Sequence, residues 1–147
     1  MVQPSALQKF GLFSGMMEGQ IENIIPLMEL ENFGPEEKII TEGISNDRIY
    51  FLLEGRVTIT YRDVVIKQIC EGSFFGELEA LDIMPSAATV KTLSPVTAMS
   101  ISNRALRAIY NMDVKTFSLI VMNMARDLSR RLRKQTEESF AALATVV

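Results

Sequence analysis

The stretch GSFFGELEALDIMPSAATV, residues 72–90, decides how the rest of the chain is read. It sets two glycines, Gly72 and Gly76, close together, puts Glu77 directly after the second, and follows Pro85 with the small residues Ser86, Ala87, Ala88 and Thr89. Glycine lets a backbone bend and lets a ligand come near it. A short helix starting near Glu77 would point its unpaired N–H groups outward and favour an anion there. The Glu77 carboxylate suits a diol such as a ribose, and burying it without such partners is costly. The small side chains at 86–89 leave the N–H groups of Ala87 and Ala88 accessible. Together these features describe a pocket for a sugar phosphate. The plainer alternative is a helix cap beside a tightly packed loop.

The flanks of this loop read as strands. RVTITYRDVVIKQI alternates Val57, Ile59 and Tyr61 with Arg56, Thr58 and Thr60 and turns near Arg62 and Asp63, a hairpin with one buried face. DRIYFLLEG and ATVKTLSPVTAMSI add further short strands among glycine and proline turns. Close-spaced short strands of this kind predict a small barrel or jelly roll over residues 34–101. Residues 1–33 read as helical, with Ile21, Ile24, Ile25 and Met28 at helical spacing and Pro26 forcing a late start or a kink. From Ser102 onward the pattern is helical again. Ser102 or Asn103 caps one helix, and Asp113 caps a longer one. On the long helix Val114, Phe117, Val121, Met124 and Leu128 form a heptad-like seam that runs on to Arg131 and Gln135. That seam faces either the barrel or a second copy of the chain. The homodimer is the favoured reading, with Leu119 and Ile120 turned to the barrel instead.

Composition excludes several functions. A 147-residue chain fits one domain with a sizeable core. A net charge of -3 argues against a nucleic-acid or membrane-surface binder. The absence of histidine removes the commonest general base and metal ligand, so neither a metal site nor an enzyme is expected. The single cysteine, Cys70, rules out an internal disulfide and fits a reducing, cytoplasmic setting; after the strand-like run VVIKQI it is expected in the core. No secretory signal or membrane span is visible. The basic run RRLRK at 130–134 reads as a solvated helix face.

The order GISNDRIYFLLEG, hairpin, FGELEALDIMPSAATV resembles the cyclic nucleotide-binding domain family, which includes catabolite-activator-type regulators, kinase regulatory subunits and gated channels. The resemblance covers about residues 10–135. It implies an α+β, mainly β fold: an eight-stranded antiparallel jelly roll with N-terminal helices and a long C-terminal helix, the phosphate-binding cassette lying at 72–90. It further implies that Gly76 gives close backbone approach, that Glu77 binds the ribose 2′-hydroxyl and that Ala87 and Ala88 donate N–H groups to the phosphate. The candidate ligand-binding set is Phe75, Gly76, Glu77, Leu78, Ser86, Ala87, Ala88 and Arg131.

The departure is at Ser86, where the resemblance implies an arginine paired with the cyclic phosphate. Losing such a contact in a buried site costs about 2–5 kcal/mol. Arg131, on the seam near the pocket mouth, is the candidate replacement cation; the alternative is an ion pair with Asp127 or Glu138. The expected function is a non-catalytic sensing domain that binds cAMP or cGMP without a further cofactor and signals through its C-terminal helix as a homodimer. The alternatives are a dimerisation or interaction module with a degenerate site and the sensor part of a larger transcription regulator, since a DNA-reading domain follows in the catabolite-activator type and this sequence stops at Val147.

Overall fold

The computed structural model describes residues 2–146. Eight strands form two four-stranded antiparallel sheets. In the first, β1 (Glu29–Phe33), β8 (Val96–Ser102), β3 (Arg48–Glu54) and β6 (Phe74–Phe75) lie in that order; in the second the order is β2 (Lys38–Ile40), β7 (Thr89–Thr92), β4 (Val57–Tyr61) and β5 (Val64–Ile69). One apolar cluster fills the space between the sheets, with Leu52, Val57, Phe75 and Ala98 at its centre. A second cluster joins the outer side of the first sheet to the helices through Phe13, Ile24, Phe51, Met99, Ile109 and Ile120.

The β4–β5 hairpin turns at Arg62 and Asp63, as the sequence predicts. Both have positive φ, 47° and 66°, the pairing a two-residue type I′ turn requires. Its outer strand is not half-buried, however. Val64, Val65 and Ile66 are exposed and Ile69 alone of this strand is buried; β5 is the edge strand of its sheet, paired on one side only. Cys70 is likewise exposed and not in the core: Ile69 takes the inward-facing position at the end of the strand, so its neighbour Cys70 faces outward.

The N-terminal region holds α1 (Pro4–Gln8), a 3-10 turn at Gly11–Phe13 and α2 (Glu18–Ile24). Pro26 converts the continuation of α2 into a 3-10 turn, Ile25–Leu27. The strand region begins at Glu29, earlier than residue 34, because ELENF pairs with β8 (Leu30 opposite Met99) despite its helix-compatible composition. Two further helices, α3 (Glu77–Asp82) and α4 (Asn103–Met112), precede α5 (Val114–Ala144). Ser102 Oγ accepts the Ala105 N–H at 3.0 Å, and Asp113 Oδ1 accepts the Lys115 N–H at 3.1 Å, so both expected caps form.

On α5 the structure redraws the seam. Met124 is buried and Phe117 and Leu128 pack on the chain's own core, together with Ile120 and Leu119. The Asn123 amide donates to the carbonyls of Leu12 and Ser14, both at 2.9 Å, and so fastens α5 to the N-terminal region. The outward strip is instead Val114, Val121, Leu132 and Leu143, with Met122 and Phe140 beside it, all exposed. At 3.6 residues per turn this strip, with Ser118, Ala125, Thr136 and Ser139 between, carries no charged residue.

Candidate functional site

Gly76 is the hinge on which the site is built. It caps α3 at φ +84°, a conformation that L side chains rarely adopt, and a Cβ there would stand 2.6 Å from the Arg48 carbonyl oxygen. Asn46 braces this turn: its amide donates to Arg48 O at 2.8 Å and Gly76 O at 3.3 Å, and its Oδ1 accepts the Arg48 N–H at 3.1 Å. Phe75 anchors the approach, opposite Tyr50 in the ladder and stacked on its ring at 5.2 Å. It is 2% exposed, so its side chain supports the loop from within. Leu78 is exposed on the far side of the same turn.

Glu77 is 5% exposed, an uncommon environment for a carboxylate. Burial holds its pKa above the ordinary value of 4.5; its own backbone N–H and Arg131 oppose that rise, while Glu79 and Asp127 add to it. Arg131 answers the charge from α5. Its Nη1 lies 3.3 Å from Glu77 Oε1, its Nη2 donates to Phe74 O at 2.8 Å, and its Nε lies 2.6 Å from Asp127 Oδ2. The guanidinium also sits over the Phe74 ring, 4.5 Å from the centroid. Arg131 thus pairs with Asp127, one of the two acidic partners weighed from the sequence, and also reaches Glu77. Glu138 pairs with Lys134 instead, at 4.0 Å.

Ser86 is 3% exposed and turned into its own loop. Its Oγ is 2.7 Å from Ala88 O and 3.0 Å from Glu79 Oε1, and it accepts the Ala88 N–H at 3.3 Å. Its own N–H donates to Ile44 O at 3.0 Å, while its carbonyl accepts the Gly43 N–H at 2.7 Å. Ala87 is exposed at the tip and Ala88 half-buried. The structure thus brings Glu77 and Arg131 together, and it places Ser86 with Glu79, a residue the sequence reading passed over. The expectation of an anion-binding end on α3 needs correction. The helix has six residues and carries Glu77 and Glu79 in its first turn, so carboxylates offset that end's positive potential.

A lysine and two hollows border the site. Lys67 on β5 has its pKa lowered by burial, then by Arg131 and Lys134, against Asp127 and Glu77. That places it beside the Arg131 end. A cavity of about 180 Å³ is lined by Asn46, Asp47, Glu79, Ile83 and Asn103 on the outer side of α3. A larger open hollow of about 650 Å³ lies between α3 and α4, lined by Leu81, Leu106, Tyr110 and Phe117 among others. Among the described residues, no group of three or more His, Cys, Asp or Glu is placed to hold a metal ion. No helix among them is long and apolar enough to cross a membrane.

Comparison with known proteins agrees with this architecture. A family model described as the cyclic nucleotide-binding domain matches residues 30–113, more than half of the chain. A cGMP-dependent protein kinase of Plasmodium berghei is 29% identical over 118 residues, covering 80% of this chain and 14% of the kinase. A CRP-like cAMP-activated global transcriptional regulator of Mycobacterium tuberculosis is 26% identical over 133 residues, 87% of this chain and 58% of the regulator. The chain therefore spans less than two thirds of either relative. Among solved structures, a cyclic nucleotide-binding domain from Methylobacillus flagellatus KT superimposes with a TM-score of 0.82 at 18% identity, covering 92% of this chain and 79% of that one. The Thermus thermophilus catabolite activator protein gives 0.75 at 20% identity, covering 87% and 61%. At such identities the likeness shows the fold.

Proposed function

Because the chain belongs to the cyclic nucleotide-binding domain family, we infer that it is a non-catalytic sensing domain: a small ligand bearing a ribose binds at Glu77, and its arrival is relayed to α5. The observation that carries this is the Arg131–Glu77 contact at 3.3 Å. It joins the sugar-binding carboxylate directly to the long helix, so a ligand diol that claims Glu77 must rearrange Arg131. The cyclic nucleotides cAMP and cGMP are the family's candidates for that ligand. Ligand and helix then shift one equilibrium between an Arg131-latched state and a released one. The whole-protein activities of the kinase and the regulator are not carried over.

The relay acts in a homodimer in this reading. The uncharged strip through Val114, Val121, Leu132 and Leu143 is the docking face, and a cytoplasmic location follows from the class of sensor. A thermal melt with cAMP, cGMP, adenosine and guanosine, each at about 1 mM, tests the function. A ligand at roughly 100 times its Kd adds about 2.7 kcal/mol, a rise of about 5–10 °C for a domain of this size. No rise with any of the four overturns the sensing reading. A second reading, an interaction module whose site is filled by its own Arg131, draws on the same contact and would then stand.

A further inference from the structure

The end of the cassette opposite Glu77 has chemistry of its own. Ser86 stands where the resemblance implies the phosphate-pairing arginine. Its buried hydroxyl faces the Glu79 carboxylate at 3.0 Å. A cyclic phosphate offers only acceptors, and a carboxylate offers only acceptors. The two repel both as charges and as hydrogen-bonding groups. Relief from a nearby cation is limited. Arg131 is committed to Glu77, Asp127 and the Phe74 carbonyl. Lys67 stands among Arg131, Lys134, Asp127 and Glu77, at the sugar end. At the sugar end Glu77 and Asp127 face Arg131, Lys67 and Lys134, whereas the charge beside the Ser86 hydroxyl is the Glu79 carboxylate.

We propose that this site takes an uncharged ribonucleoside in preference to a cyclic nucleotide, with Ser86 and Glu79 holding the 5′-hydroxyl where relatives hold a phosphate. The proposal rests on the sensing reading above and names its ligand class. A 5′-hydroxyl donates to the Glu79 carboxylate and accepts the single Ser86 proton, which without a ligand goes to Ala88 O or Glu79. The 2′- and 3′-hydroxyls donate to Glu77 as Arg131 leaves it, and Arg131 keeps Asp127 and the Phe74 carbonyl. None of these contacts brings a new anion against the half-buried Glu79 carboxylate.

Isothermal titration calorimetry of the 147-residue chain at neutral pH with adenosine, guanosine, cAMP and cGMP tests this. The expected result is that at least one nucleoside binds about tenfold or more tighter than its own cyclic phosphate. Glu79→Gln keeps the side chain's size and removes its charge; it should improve cyclic nucleotide binding about tenfold and weaken the nucleoside, whose 5′-hydroxyl loses a charged acceptor, so that the preference shrinks or reverses. The double variant Ser86→Arg/Glu79→Ala should reverse the preference. A wild-type chain that binds cAMP or cGMP more tightly than the nucleosides overturns the proposal and leaves the sensing reading standing. A wild-type chain that binds none of the four removes the proposal and the sensing reading together.

Discussion

Replacing Arg131 by methionine removes the guanidinium and keeps an aliphatic chain over the Phe74 ring. The side chains of Arg131 and Glu77 are 22% and 6% exposed, so this pair is largely shielded from water. Breaking a buried pair by deleting one partner costs about 3–5 kcal/mol. The contact is single and 3.3 Å long, and Glu77 can escape by taking a proton, so a loss of about 2–3 kcal/mol near pH 7 is expected. Asp127 adds little, being a third exposed on its own helix. In a thermal melt this is a fall of about 6–9 °C.

The pH dependence separates this cause from lost packing. Burial already holds Glu77 above its ordinary value of 4.5, and Arg131 works against that rise. Without Arg131 the carboxyl moves higher still. A carboxyl with a raised folded pKa contributes stability that is complete below the unfolded value and is lost as pH climbs through the folded one. The deficit of Arg131→Met should therefore be small near pH 4 and grow toward its full size by about pH 7. Urea unfolding of both proteins at several pH values in that interval reads it directly. An equal deficit at both ends, or one below about 0.5 kcal/mol near neutrality, would refute the ion-pair reasoning.

Four further expectations concern the scaffold. Gly76→Ala forces a Cβ to within 2.6 Å of the Arg48 carbonyl at φ +84° and should lower stability by about 2–4 kcal/mol in chemical denaturation. Thr92→Val deletes a buried hydroxyl that donates to Gly34 O at 2.6 Å and accepts the Glu37 N–H at 2.8 Å; a loss of about 2–3 kcal/mol is expected, with the far-UV spectrum unchanged. Asp113 has its pKa lowered, first by the Thr116 hydroxyl. It therefore stabilises above the ordinary value of 3.8 and loses that contribution as pH falls through its folded value, so Asp113→Ala should melt lower than wild type near neutrality and converge with it in acid. Val121→Glu places a charge on the uncharged strip of α5; sedimentation equilibrium should show monomer where wild type shows dimer, and a monomeric wild type would sink the homodimer.

Features set by neighbours in the chain were legible. The Arg62–Asp63 turn, the caps at Ser102 and Asp113, and Gly76 at the head of α3 each depend on a few consecutive residues, and each lies where the sequence puts it. ELENF was misread because nothing within it distinguishes a strand from a helix; pairing with β8 decides. The seam on α5 is split: Val114 and Val121 face outward, while Phe117, Met124 and Leu128 are as suitable for the chain's own core as for a partner's and pack there. Within the site, Glu77 and Ser86 stood out from local pattern. Glu79 did not, because whether its carboxylate turns toward Ser86 depends on the path of the loop between them. Arg131 was legible as a cation near the pocket, but its choice of Glu77, 54 positions away, is a matter of tertiary geometry.

The two fastenings of α5 give it a mechanical advantage. At Asn123 it is bolted by a buried amide to two carbonyls, a joint with no charge to titrate and no ligand to compete for it. At Arg131, about 12 Å farther along the axis, it is held by an ion pair with Glu77, the joint that the proposed ligand diol would undo. Ala144 lies about 31 Å beyond the pivot. A displacement of about 1 Å at the outer joint thus becomes about 2.6 Å at the free end, simply from the ratio of the arms. A stiff rod pinned close to one end lets a contact the size of a single guanidinium move a surface far larger than itself.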